Sequence, residues 1–237
     1  MSAAMIVLAG GSGSRMDPTV NKVYLTIGDR SILAFSLDTL ERVPMVERIV
    51  LVTRPDDHAR AASALTEAGL TKPCSIVDGG ATRQESEMAG LESLAPAIES
   101  GEINLVAIHD GARPFASLQL IETLFNEARR LGGAIPAVTM EAPLYGISDG
   151  YALPVSSGSL VRVQTPQTFA AAPLLAAYRS AARAGFSGFD TAETMEKFSN
   201  VTVGVVEGDV RNIKLTVLDD FAVAEDLARR WEGGRWK

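Results

Sequence analysis

Short apolar runs alternate with amphipathic stretches from the first residues of the chain onward. Met5 to Ala9 is an unbroken apolar run of the length of a buried strand. Ser31 to Arg42 carries apolar residues at helical spacing behind a serine suited to an N-cap. Glu47 to Thr53 predicts the next strand, and Pro55 to Ala68 the next helix, with Gly69 as its stop. Ser75 to Asp78 is strand-like, and Thr82 to Glu85 fits a capping box that opens a helix to about Ala95. Ile103 to His109 predicts a strand, Ser117 to Leu131 a helix, and Ala134 to Val138 a strand again. This β-α alternation argues an α/β fold, a mostly parallel sheet with helices on both faces.

Between Thr139 and Leu160 the rhythm breaks. The segment holds Gly, Ser and Pro with short extended pieces and no helical period, which predicts a hairpin arm projecting from the sheet. Helices are then expected over Pro173–Ala184 and near Asp190–Phe198, strands around Val201–Val206 and Ile213–Val217, and a last helix from Asp219. No internal repeat or low-complexity tract interrupts the pattern. One domain over residues 1–237, with an arm inserted at about 139–160, is the simplest organisation.

Composition narrows the partners. The formal net charge of -7 makes the surface as a whole repel nucleic acid and anionic membranes, so an anionic substrate needs a local cluster of cations. No apolar run approaches the roughly 18 residues needed to span a bilayer, and no basic flank precedes the first strand. The single cysteine, Cys74, excludes an internal disulfide and is expected to be an inert buried thiol in a reducing, cytoplasmic compartment.

The chemistry gathers at the carboxyl ends of predicted strands, where ligands bind in open α/β sheets. The first strand runs into Gly10, Gly11, Ser12, Gly13, Ser14 and Arg15. Such a turn can aim successive backbone N–H groups at an anion, and the Arg15 fork matches phosphate oxygens. It is not a Walker A loop, since no Gly-Lys-Ser/Thr closes it. It is not a dinucleotide fingerprint either: Met16 stands where the last glycine belongs, and Thr53-Arg54 replaces the acidic residue that should end the second strand. Lys22 follows closely enough to fold over the same anion. Asp110, in the run His109 to Pro114, could orient a ribose or hold Mg²⁺ alongside phosphates. His109 points to the opposite face of its strand from Asp110, which argues a core residue rather than half of a catalytic dyad. His58 lies on a polar helix and is expected at the surface.

Six motifs occur together and in order: LAGGSGSRM, NKVYL, VDGG followed by Arg83 and Ser86, HDGARP, QTPQTF from Gln164 to Phe169, and RNIKLT from Arg211 to Thr216. On these the chain resembles the 2-C-methyl-D-erythritol 4-phosphate cytidylyltransferases and their ribitol 5-phosphate relatives, from about Met5 to the last helix. The resemblance implies a Rossmann-like fold, a homodimer through the arm, and transfer of CMP from CTP to a sugar-alcohol phosphate with Mg²⁺ as cofactor. It implies that the loop from Gly10 to Arg15, with Ser12 and Gly13, and Lys22 hold the triphosphate. Ala9 and Gly10 would meet the nucleotide through backbone, and Gly80, Arg83 and Ser86 would meet it from the VDGG side. Asp110 and Gly111 would lie by the ribose, with Asp110 also near the metal. Arg113, Asp190 and Lys214 would serve the acceptor, and Arg113 would support the Asp110 loop. Arg15, Lys22, Asp110 and Lys214 form the implied catalytic set. Pro166 would make QTPQTF a rigid turn.

The acceptor half departs from the family pattern. Its usual Asp-Thr-hydrophobic-Lys run falls at Ala142-Pro143-Leu144-Tyr145, and an arginine near the end of the arm falls at Ser157. Methylerythritol phosphate is the acceptor favoured by the resemblance, ribitol 5-phosphate its rival, and a non-catalytic nucleotide-binding protein the alternative from another class.

Overall fold

The computed structural model describes residues 2–11, 21–140, 145–148, 151–154 and 160–237. Strand β1 (Ser2–Leu8) is buried on both faces, which is why it reads as a continuous apolar run. Met5 and Val7 face one layer, against Leu33 and Phe125, while Ala4 and Ile6 face the other, against Leu91 and Leu174. A small hairpin, β2 (Thr26–Ile27) and β3 (Arg30–Ser31), leads into α1 (Ile32–Glu41), whose N-cap is Ser31. Then come β4 (Val46–Thr53), α2 (His58–Glu67), β5 (Cys74–Asp78), α3 (Arg83–Glu99), β6 (Ile103–Asp110), α4 (Leu118–Leu131) and β7 (Gly132–Thr139). Helix α3 starts on the capping box of Thr82 and Glu85, and continues past Ala95 with Pro96 inside it.

Of the arm, the hairpin β8 (Tyr145–Ser148) and β9 (Tyr151–Pro154) is described; Ala142, Pro143, Leu144 and Ser157 lie outside the described residues. The chain returns through β10 (Val161–Val163) and β11 (Gln167–Ala170) to α5 (Ala171–Arg183), α6 (Thr191–Phe198), β12 (Thr202–Glu207), α7 (Asp220–Arg229) and a terminal hairpin, β13 (Trp231–Glu232) and β14 (Arg235–Trp236).

One eight-stranded sheet runs β10-β7-β11-β6-β1-β4-β5, with β12 paired to β7. Strands β4, β1 and β6 are parallel neighbours, β5 is parallel to β4, and β12 to β7. Strands β10 and β11 run antiparallel to their neighbours. Strand order reverses between β1 and β6, so the crevice beyond their carboxyl ends is the topological switch point of the sheet.

Two sequence expectations are corrected. QTPQTF is not only a turn: after a cis Thr165–Pro166 bond, Gln167–Ala170 pairs with both β6 and β7 in the sheet interior. Ile213–Val217 is not a strand. Leu215 N–H donates to the Ala112 carbonyl, 3.0 Å, and the segment joins no ladder. Its alternation is real nonetheless, because Ile213 and Leu215 pack into an aromatic cluster with Phe35, Phe115 and Trp231.

Candidate active site at the carboxyl ends of β1 and β6

The crevice at the switch point is a cavity of about 400 Å³. Gly10, Gly11 and Lys22 line it from the β1 side, Gly80, Arg83 and Ser86 from the start of α3, and Asp110 and Lys214 close its floor. Ser12, Gly13, Arg15 and Met16 lie outside the described residues.

Asn21 brings Lys22 to this place. Its side chain is wholly buried and donates from Nδ2 to the Ala9 carbonyl and, at 3.3 Å, to Asp57 Oδ2. Asp57 in turn accepts from Arg54 and Arg60, at 2.7 and 2.8 Å. The exit of the glycine loop is thereby tied to its entry, and the short helical turn Lys22–Tyr24 begins on Asn21 as its cap. Sequence reasoning assigned Asn21 no role; a cap-forming residue directly before the cationic one was the available signal.

Gly80 and Gly111 are required by close approach. A Cβ on Gly80 would fall 2.2 Å from Glu85 Cβ, and one on Gly111 would fall 3.0 Å from the Leu8 carbonyl oxygen. Ser86 donates to the Thr82 carbonyl, 2.9 Å, one turn back, which leaves its hydroxyl oxygen beside the cavity.

Asp110 is the centre of charge. Arg83 Nη1 donates to its Oδ1 at 2.5 Å, Lys214 Nζ stands 2.9 Å from Oδ2, and Arg113 Nε stands 3.5 Å from the same oxygen. Burial alone would raise the Asp110 carboxyl, but Arg83, Lys214 and Arg113 together hold it far below the usual carboxylate range. The carboxylate therefore stays ionised at all working pH values and is unsuited to proton transfer. His109, buried behind it, meets the Arg113 carbonyl through Nε2 and Thr165 Oγ1 through Nδ1, each at 3.1 Å. Burial pushes its imidazole down to about 4, so it remains neutral, a core residue as its strand position implied. His58 is exposed beside Asp78.

Four further residues of the sequence reading are placed as follows. Ala9 donates its N–H to the Val52 carbonyl, and its own carbonyl accepts from Asn21. Gly111 spends its N–H on the Leu8 carbonyl, 2.9 Å, joining β1 to the loop after β6. Arg113 lies behind the cavity, donating from Nη1 to the Asn212 carbonyl at 2.8 Å; it ties the Asp110 loop to the segment that carries Lys214. Asp190 is not brought to the cavity. It caps α6 by accepting from Glu193 N–H, 2.9 Å, and takes Gln167 Nε2 on its other oxygen, also at 2.9 Å.

Asp110 is the one carboxylate among the described residues that line the cavity. A carboxylate offers about four lone-pair sites, and Arg83 and Lys214 engage two while Arg113 crowds a third. This donor set suits a Mg²⁺ that arrives with a triphosphate and takes one protein ligand. It does not suit an ion held by protein groups alone, and no cluster of three or more His, Cys, Asp or Glu able to hold a metal occurs among the described residues.

Another groove, of about 980 Å³, runs between α4 and β12, but there Glu127 and Asp209 are already paired with Arg130 and Arg211. In the crevice, by contrast, Lys22, Arg83 and Lys214 converge around Asp110. Among the described residues no helix is long and apolar enough to cross a membrane. Cys74 is half-buried rather than buried, on the edge strand β5, and burial pushes its thiol up to about 11.

Known proteins resemble this sequence and fold over nearly the whole chain. The family model for 2-C-methyl-D-erythritol 4-phosphate cytidylyltransferase (IspD) matches residues 3–230. The enzyme of that name from Geobacillus kaustophilus is 37% identical over 228 residues, 96% of this chain and 97% of the relative. The crystal structure of 4-diphosphocytidyl-2C-methyl-D-erythritol synthase from Anaerococcus prevotii superposes with a TM-score of 0.84 at 30% identity, covering 97% of this chain and 99% of that one. The Thermus thermophilus cytidylyltransferase follows at 0.71 and 26%, covering 94% and 98%. With sequence and fold matched from end to end, the chain belongs to the 2-C-methyl-D-erythritol 4-phosphate cytidylyltransferase family of nucleotidyltransferases.

Proposed function

We propose that the chain transfers CMP from CTP to 2-C-methyl-D-erythritol 4-phosphate and releases pyrophosphate. The observation that carries this reading is the convergence of Lys22, Arg83 and Lys214 on one crevice around a single carboxylate, in a chain of net charge -7. An acceptor phosphate oxygen attacks the α-phosphorus of CTP; the new P–O bond forms as the bond to the β-phosphate oxygen breaks, and pyrophosphate leaves with that electron pair. The nucleophile is already an anion, so no general base is needed. What the protein supplies is position and positive charge.

In this reading the N–H groups of Gly10 and Gly11, with Ser12, Gly13 and Arg15 from the rest of the loop, and Lys22 hold the triphosphate. Gly80 and Ser86 meet the cytosine. Lys214 holds the two reacting phosphates together, and Asp110 sets the position of Lys214. A Mg²⁺ carried by the triphosphate, with Asp110 as its protein ligand, would neutralise charge on the leaving group. The arm's short strands contain the apolar residues Tyr145, Ile147, Tyr151 and Leu153, and pairing two such arms across a two-fold axis is a common solution, which supports a homodimer. A single half-buried cysteine fits a reducing cytoplasm.

Pyrophosphate release from CTP tests the reaction. Methylerythritol phosphate should give the higher kcat/KM against ribitol 5-phosphate. Pro143 has neither a hydroxyl nor an N–H, and Ser157 lacks the arginine fork, so its KM should exceed that of relatives with the Thr and Arg by about tenfold, the worth of one charged contact. A tenfold preference for ribitol 5-phosphate would overturn the acceptor assignment.

A further inference from the structure

Glu87 is a buried acid that no step above uses. It lies in the first turns of α3, 1% exposed, and three donors meet its carboxylate. Oε1 accepts from Arg83 Nε at 2.9 Å and from Thr191 Oγ1 at 3.1 Å, and Oε2 accepts from the Tyr178 hydroxyl. Tyr178 and Thr191 are themselves fully buried. On the far side of the same guanidinium, Arg83 Nη1 donates to Asp110 Oδ1 at 2.5 Å. Arg83 is thus strung between a carboxylate in the core and a carboxylate at the crevice.

We infer that Glu87, held by Tyr178 and Thr191, is a positioning residue that keeps Arg83 on Asp110 and so sets the charge geometry at which Lys214 meets the reacting phosphates. The inference rests on the reading of the crevice given above. An arginine edged by one exposed carboxylate alone is free to swing to an arriving triphosphate, because phosphate oxygens match its fork as well as a carboxylate does. Arg83 is anchored at Nε, so such a swing would break its bond to a buried acid, and leaving that acid unpaired is costly. Burial pushes the Glu87 carboxyl up, while Arg83 beside it, then Tyr178 and Thr191, favour the ionised form. The Tyr178 hydroxyl is pushed well above its ordinary value and stays a donor. With Arg83 retained on Asp110, Oδ2 remains directed at Lys214, and triphosphate binding is left to Lys22 and the glycine loop.

The test is a double-mutant cycle on steady-state turnover with CTP and methylerythritol phosphate, each variant checked by circular dichroism. Glu87→Leu should lower kcat about tenfold or more and change the KM for CTP less than threefold, because an anchor is lost and no substrate contact. Glu87→Gln keeps an acceptor for Arg83 Nε and should retain at least a third of kcat. In the Arg83→Ala background, Glu87→Leu should cost less than a further twofold. An equal fall in both backgrounds would make Glu87 a packing residue only, and an undiminished kcat in folded Glu87→Leu would equally overturn the inference. Should Glu87→Leu fail to fold, Tyr178→Phe removes one donor to Glu87 while keeping the ring, at the cost of the hydroxyl's contacts with Thr191 and Thr194. A threefold or larger fall that disappears in Arg83→Ala supports the inference, and any other pattern rejects it. A wild-type enzyme with no CTP-dependent pyrophosphate release would defeat the reading of the crevice instead.

Discussion

Lys214 sets its ammonium 2.9 Å from Asp110 Oδ2, although the two residues reach the crevice on separate segments. The bond between Leu215 N–H and the Ala112 carbonyl and the one between Arg113 Nη1 and the Asn212 carbonyl bring those segments together on either side of the pair. Lys214→Ala should therefore remove a preorganised cation without loosening the loop. Turnover should fall roughly 10²-fold or more, and Lys22→Ala should do the same. Steady-state kinetics beside circular dichroism checks this; near-normal kcat in both folded variants would refute the charge cluster.

Gly80→Ala puts a methyl carbon where Glu85 Cβ already stands, 2.2 Å away. The first turn of α3 has to shift, and Ser86 with it. Calorimetry with Mg²⁺ should rank CTP above UTP, ATP and GTP for the wild type, and the variant should lose about tenfold or more for CTP. Equal wild-type affinity for all four nucleotides would refute the assignment of Gly80 and Ser86 to the base.

Asn21→Ala removes a wholly buried side chain that donates to Ala9 and Asp57. Losing a buried donor and stranding its acceptors costs about 1–3 kcal/mol. In a chain of this size that is a fall in Tm of roughly 2–4 °C per kcal/mol. Thermal unfolding measures it, and an unchanged Tm would show that the tie between loop entry and exit is dispensable.

Cys74 should react slowly. Burial pushes its thiol up to about 11, so at pH 8 its thiolate fraction is about a hundredfold below that of an ordinary cysteine, and the thiolate is the nucleophile. Alkylation by iodoacetamide should accelerate about tenfold per pH unit from 8 to 10. A rate that levels off below pH 9 would contradict this.

The alternation of strand and helix was legible because both faces of the central strands are covered. Met5 and Val7 read as apolar for one layer, Ala4 and Ile6 for the other, and together they make the uninterrupted run. Caps at Ser31 and Thr82 were legible because their partners lie three residues on. Strand β11 was not, since Gln167-Thr168 is made a strand by β6 and β7 on either side, a long-range effect no local window contains. At 213–217 the inward packing of Ile213 and Leu215 was correctly signalled while the absence of a partner strand was not. In the site, Gly10, Gly11, Lys22 and Asp110 were found from motif and spacing, while Gly80, Ser86, Lys214, Arg113 and Asp190 were carried over by resemblance; Arg113 supports the Asp110 loop by bonding the Asn212 carbonyl, and Asp190 caps α6 and accepts from Gln167. Glu87 left a trace that could have been read. It falls on the same helical stripe as Leu91, Leu94 and Ile98, and an acid on a buried stripe needs a partner.

The terminal hairpin gives the molecule an optical handle. The chain has two tryptophans, Trp231 and Trp236, and both lie there with ring centroids 4.6 Å apart. Trp236 donates from Nε1 to Asp209 at 3.1 Å and lies under the Arg211 guanidinium at 4.2 Å, at the root of the segment that carries Lys214. All indole emission of the chain thus originates beside the one stretch, among the described residues, that delivers a cation to the crevice without belonging to any helix or strand. Any displacement of that stretch when the crevice fills would change the polarity and the quenching group seen by an indole, and fluorescence of the unlabelled protein would register it.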